Sequence, residues 1–178
     1  MARKFTGSFT QQEGLSESAI AAAVAVLQSG RLHRYNLAPG EAGEVAQLEA
    51  EYRDWQGSKF CLAVTSGGQA LQIALRACDV APGDKVLTNA YTLAPVPGAI
   101  RAVGADAVLV EIDENLRLDL DDLGAKIASS GARVLLLSHM RGHLCDMERL
   151  MAICDAAQVT VIEDCAHTMG ARWNGVRS

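Results

Sequence analysis

The sequence predicts an α/β fold: a mostly parallel sheet with helices on both faces. Three observations carry that prediction. From residue 59 onward, strand-like and helix-like segments alternate. The strands are continuous β-branched and leucine runs without alternation, such as VLLLS (134–138) and VTVIE (159–163), as suits strands covered on both faces. At 178 residues, with 49% hydrophobic and 21% charged side chains, the chain has the material for one buried core.

Two helices come first. SESAIAAAVAVLQSG (16–30) runs from a serine cap to a glycine stop, and GEVAQLEAEYRDWQG (43–57) follows it. Between them RLHRYNLAPGEA (31–42) has no core pattern and reads as a loop. The alternating region begins with a strand at KFCLAV (59–64) and a helix at 67–80. After the turn APGD come a strand at 84–90 and a helix at 94–104 with prolines in its first turn, where a missing N–H costs least. A strand at 105–112, a helix at 119–131 and a strand at 132–139 follow. A helix at 146–158 capped by Asp146 and a strand at 159–164 complete the series. Residues 1–57 are thus an N-terminal helical segment and 58–178 the αβ region.

Composition excludes several classes. The net charge is −5, only four residues are lysine and no basic cluster occurs, which argues against nucleic acid. AIAAAVAVL is too short to span a bilayer, and no apolar region follows the basic N-terminus as in a signal peptide. The five cysteines are odd in number and form no C-x-x-C pair, which suits core residues in a reducing cytoplasm better than disulfides or a zinc site.

In an open α/β sheet, ligands bind beyond the carboxyl ends of the strands. The clusters to weigh are therefore 66–69, 89–92, 139–141 and 164–167. In AVTSGGQALQ, Gly67 and Gly68 lie where a helix begins, and the N–H groups there attract an anion. Ser66 as a plain helix cap explains the same residues. The stretch is neither a P-loop nor a dinucleotide fingerprint, since both spacings are absent. In VIEDCAHTMG, Asp164 closes an apolar strand, a poorly solvated place for an unpaired carboxylate. It is either the cap of a short helix at 165–170 or the partner of a cation. A metal is the weaker choice, because Asp164 and His167 alone supply too few ligands. A protonated heterocyclic nitrogen fits, since a carboxylate beside a pyridine nitrogen keeps it protonated and the ring electron-accepting. An anion site and an Asp-x-x-His together describe a cofactor with a phosphate and a cationic ring, as in pyridoxal phosphate.

With those segments in order, the chain resembles the N-terminal part of the large domain of the DegT/DnrJ/EryC1/StrS family of pyridoxal-phosphate-dependent sugar aminotransferases, which have fold type I. The resemblance rests on LAVTSGGQALQIALRACDVAPGDKVLTNAYT, AIRAVGADAVLVEID, SHMRGHLCDMERLMAIC and VTVIEDCAHTMGARWNGV, across roughly residues 45–178. It implies that the backbone amides of Gly68 and Gln69 hold the cofactor phosphate, that Asp164 pairs with the pyridine nitrogen, and that His167 contacts the ring near its phenolic oxygen. Leu93 falls where the family usually stacks an aromatic residue on the ring, and Tyr91 is the aromatic two positions earlier. The family's usual threonine at position 68 is glycine here. Arg34, Tyr35, Asn36, Tyr91 and His139 are candidates for substrate contact.

The resemblance also implies what to expect beyond these residues. The four lysines, at 4, 59, 85 and 126, match no catalytic context of the family, so the Schiff-base lysine is expected beyond Ser178, with the C-terminal small domain. The catalytic set within this chain is therefore none, and the metal set none. The implied activity moves an amino group from glutamate or glutamine to a nucleotide-linked keto-sugar, with pyridoxal or pyridoxamine 5′-phosphate as cofactor and a cytoplasmic homodimer as the assembly. Two alternatives stand beside it: a dehydratase on the same scaffold, and a non-catalytic module that binds a phosphate ligand. A plain nucleotide-binding domain leaves Asp164 and His167 unexplained.

Overall fold

The computed structural model describes residues 6–8, 12–35 and 37–177. The chain divides into two compact units, Met1–Glu51 and Tyr52–Ser178.

The first unit holds helix α1 (Glu17–Ser29) and most of α2 (Glu44–Gln56). Ser16 caps α1 by accepting a bond from the Ala19 N–H at 3.2 Å, and Gly30 ends it in the left-handed region at φ 68°. No residue of α1 is buried. The loop between the helices is organised by ion pairs: Arg31 with Glu41, and Arg34 with both carboxylate oxygens of Glu49 at 2.9 Å.

The second unit is built on a four-stranded, wholly parallel sheet in the order β2-β1-β3-β4. The strands are β1 (Lys85–Asn89), β2 (Asp106–Val110), β3 (Val134–Ser138) and β4 (Thr160–Asp164). Helices α3 (Gly67–Ala77), α4 (Pro95–Ala102), α5 (Leu120–Ser130) and α6 (Met147–Ala156) alternate with them. Side chains leave a strand on alternate faces, and the core divides accordingly. Val86, Val134 and Leu136 pack with Leu71 and Leu75 of α3 and Val96 and Ile100 of α4. Leu87, Leu135 and Leu137 pack with Leu123 of α5 and Leu150 and Cys154 of α6. The apolar β3 run is buried at all five positions, as two covered faces require.

Capping follows the side chains at the helix starts. Asp119 accepts from the N–H groups of Asp121 and Asp122 at α5, and Asp146 from that of Arg149 at α6. A short hairpin of β5 (Arg172–Trp173) and β6 (Val176–Arg177) closes the unit. Its turn is Asn174-Gly175, both at positive φ, the conformation a two-residue hairpin turn demands. Arg177 lies over the Trp55 ring, 4.3 Å from its centroid.

One expected element is corrected. Residues 59–64 belong to no strand of the sheet, although their composition suits one. A strand exists only through a neighbour's N–H and C=O groups, and each of the four strands is already placed without this segment. Phe60 and Leu62 are accordingly exposed, at 79% and 58%.

None of the five cysteines is in a disulfide. Burial pushes the Cys145 and Cys154 thiols up, each to about 11, and raises that of Cys78. Their contribution to stability is whole below the ordinary thiol value of 9.0 and is lost as pH rises toward about 11. Urea midpoints measured between those limits are expected to fall with pH, and Cys154→Ala is expected to flatten part of that slope.

Candidate functional site

The carboxyl ends of β1, β3 and β4 share one edge of the sheet, because all the strands run the same way. Helix α3 leads through residues 78–84 into the start of β1, so its own N-terminus points back toward the carboxyl edge. The helix packs on β4 and on the sheet face that carries Val86 and Leu136. Ile162 joins the same cluster, and Asp164, two residues on, leaves the strand on that face. The fold thus brings the start of α3 and Asp164 to one face and one edge.

At the helix start, the Ser66 hydroxyl accepts from the Gln69 N–H at 3.2 Å and the Ser66 carbonyl from the Ala70 N–H at 3.0 Å. The Gln69 amide is engaged by the cap, and the first-turn donors without an intrahelical acceptor are those of Gly67 and Gly68. A Cβ added at either glycine meets nothing within 4 Å. The Ser66 cap and the first-turn N–H groups without an intrahelical acceptor thus lie at successive residues.

Asp164 is braced from two sides. Its Oδ1 accepts from the Ala166 N–H at 3.2 Å, and its Oδ2 from the Ser138 hydroxyl at 3.4 Å. It caps a turn over 166–170 rather than a helix. Ser138 is itself fixed by Asn89. The Ser138 N–H donates to Asn89 Oδ1 at 2.9 Å, and Asn89 Nδ2 donates to the Ser138 carbonyl at 3.1 Å. The Asn89 side chain continues the β1–β3 pairing one step past the last backbone partners, Thr88 and Leu136. Ser138 and Asn89 are the supports that sequence reasoning did not assign. A polar pair closing two apolar strands was the available signal.

His167 follows on the turn, and its Nδ1 accepts from the Arg141 N–H at 3.0 Å. Tyr91 and Leu93 lie in the loop after β1, Tyr91 half-buried and Leu93 exposed at 48%.

The remaining candidates separate. His139 lies on the other face of the sheet, as alternation along β3 requires: its side chain is 1% exposed and its Nε2 is 2.8 Å from Glu163 Oε2. The expectation of a substrate contact by His139 is corrected, because a buried ring already paired across the strands does not reach the ligand side. His139, Glu163 and Cys165 offer donor atoms within 4.8 Å of one another, but the direct His139–Glu163 bond occupies the atoms a cation would take. Arg34 and Tyr35 belong to the first unit, Arg34 paired with Glu49 and Tyr35 stacked on His33 at 5.0 Å. Asn36 lies outside the described residues. Among the described residues, no helix is long and apolar enough to cross a membrane.

A parallel sheet with helices on both faces and polar groups gathered at its carboxyl edge is the architecture of a ligand-binding α/β enzyme domain. Comparison with known proteins narrows the class. The model of the DegT/DnrJ/EryC1/StrS aminotransferase family matches residues 14–178, and the chain belongs to that family. It is 38% identical over 136 residues to the dTDP-3-amino-3,6-dideoxy-alpha-D-galactopyranose transaminase of Aneurinibacillus thermoaerophilus, which covers 76% of this chain and 37% of that protein. The crystal structure of S. venezuelae DesV superposes with a TM-score of 0.78 at 32% identity, covering 91% of this chain and 43% of DesV. An E. coli GDP-4-keto-6-deoxy-D-mannose-3-dehydratase superposes at 0.80 with 21% identity, covering 94% of this chain and 43% of that one, a likeness of fold alone. The chain spans less than half the length of these relatives.

Proposed function

We propose that residues 58–178 form the cofactor-holding part of the large domain of a sugar aminotransferase that uses pyridoxal or pyridoxamine 5′-phosphate. The observation that carries this reading is the carboxylate of Asp164, delivered by an apolar strand and braced by Ser138 and Ala166, on the face where α3 opens its N-terminus. These residues suit a ligand with a phosphate at one end and a cationic ring at the other. The N–H groups of Gly67 and Gly68, with the helix dipole behind them, bind the phosphate. Asp164 holds a proton on the ring nitrogen, and His167 contacts the ring near its phenolic oxygen. Tyr91 and Leu93 border the ring's face. When bound, the protonated ring takes up the electron pair of a bond broken at the attached amino carbon.

The substrate class is a nucleotide-linked keto-sugar and the donor glutamate or glutamine. The lysine of the reaction lies outside residues 1–178. Among the described lysines, Lys85 begins β1 at the amino edge, Lys126 lies on α5 and Lys59 sits over Phe60. Residues 1–57 form the N-terminal helical segment, and the working unit is a cytoplasmic homodimer. Arg34, Tyr35 and Asn36 are retained as candidate substrate contacts of that assembly.

The test is incubation of the protein that carries this chain with pyridoxal phosphate, glutamate or glutamine, and a panel of dTDP- and UDP-linked keto-sugars. The expected result is an amino sugar formed in step with the 2-oxo acid of the donor. A dehydrated sugar without an amine moves the assignment to the dehydratase. Neither product, with saturable binding of the cofactor, moves it to the binding module.

A further inference from the structure

We propose that the peptide N–H of Arg141 fixes His167 in the tautomer whose proton sits on Nε2, so that His167 serves this site as a hydrogen-bond donor and not as a proton acceptor. A peptide nitrogen always carries its hydrogen and can only donate. At 3.0 Å from Arg141 N, the Nδ1 of His167 must therefore present its lone pair, and the single proton of the neutral ring goes to Nε2.

Both partners are held. Arg141 is the middle of a 3-10 turn, Met140–Gly142, and stands in the left-handed region at φ 57° and ψ 17°, a conformation that a side-chain-bearing residue keeps only where its surroundings impose it. The surroundings do so here. The Met140 side chain is buried, the Gly142 N–H bonds the His139 carbonyl at 3.0 Å, and the His139 N–H bonds the Asp164 carbonyl at 3.2 Å. The turn is thereby tied to the ends of β3 and β4. On the other side, the Thr168 N–H donates to the Cys165 carbonyl at 3.0 Å and the Ala166 N–H to Asp164, which fixes the backbone around His167.

The consequence is chemical. With Nδ1 occupied, the only ring nitrogen that remains can give a hydrogen bond but cannot take a proton, so the proton acceptor of the reaction lies elsewhere. A fixed donor suits an anionic or phenolic oxygen on the ring that Asp164 holds. That identification of the oxygen rests on the function proposed above, whereas the tautomer rests on the Arg141–His167 geometry alone.

The experiment is long-range 1H–15N correlation NMR of the 15N-labelled protein without ligand, at a pH above the ordinary histidine range, with His167→Gln used to assign the signals. The expected spectrum shows one tautomer, protonated at Nε2, and a coupling through the hydrogen bond between the Arg141 amide nitrogen and His167 Nδ1. A proton on Nδ1, a mixture of tautomers as in a solvated ring, or no such coupling overturns the proposal, whatever the protein binds. A second readout is the affinity for pyridoxamine 5′-phosphate. The His167→Gln amide can still accept from Arg141 and donate to a ligand, so it is expected to stay within about threefold of the unsubstituted protein. His167→Leu is expected to lose about tenfold or more. Equal binding by His167→Leu overturns the donor role. Absence of binding by the unsubstituted protein overturns the cofactor reading instead, and the NMR result then still decides the tautomer.

Discussion

Asp164→Asn is expected to lower the turnover of amino transfer by between about a hundredfold and several thousandfold. On the function proposed above, the substitution would leave the cofactor's ring cation without its carboxylate, and removing one partner of a buried ion pair costs about 3–5 kcal/mol. Each 1.36 kcal/mol added to the barrier is tenfold in rate. Asparagine is the informative replacement because its carbonyl can still accept from the Ala166 N–H, so the turn that Asp164 caps is preserved. Steady-state rates with saturating keto-sugar, beside circular dichroism showing an unchanged fold, measure the effect. A rate within tenfold of the unsubstituted protein contradicts the role given to Asp164.

The second large effect is on stability. Leu136→Ala removes a fully buried side chain from the middle of β3, packed among α3, α4 and the neighbouring strands. Emptying such a site costs about 2–5 kcal/mol, depending on how far the surroundings collapse. For a chain of this size each kcal/mol is worth about 2–4 °C, so the Tm should fall on the order of 10 °C. Leu62→Ala is the matched control: Leu62 is 58% exposed, and its truncation should move the Tm by no more than about 2 °C. If both variants melt alike, the assignment of the core is wrong.

Much of the architecture was legible because burial leaves a pattern. VLLLS is unbroken because both faces of the sheet are covered there, whereas VTVIE lies on the edge strand β4, where Thr160 and Glu163 are exposed; Asp119 and Asp146 stand where helix N–H groups need acceptors. Residues 59–64 show the limit of that pattern. Their composition says strand, but pairing is a property of the neighbour, which no local window contains. The hairpin at 172–177 was legible in principle from Asn174-Gly175.

The site was legible in its ends and not in its supports. Asp164 and His167 declare themselves as polar residues at the end of an apolar strand. Ser138 and Asn89 act across strands far apart in sequence, so their contact with the site emerges only once β1, β3 and β4 are in register. His139 shows the converse. It stands at a strand end like the others, but the alternation of the strand turns it to the opposite face, toward Glu163. At the start of α3 the Ser66 cap engages the Gln69 amide, a local bond that the sequence offered only as an alternative to an anion site.

In the function proposed above, β4 brings the Asp164 carboxylate to a ring nitrogen of the cofactor and keeps that nitrogen protonated. The most direct measurement is 15N NMR of pyridoxamine 5′-phosphate labelled at the ring nitrogen, bound to the protein and titrated with pH, for the unsubstituted protein and for Asp164→Asn. The expected result is a nitrogen that stays protonated in the complex well above the pH at which it loses its proton in water, a protection that disappears with Asp164→Asn. A bound ring nitrogen that titrates as it does in water, or equally in both proteins, contradicts it.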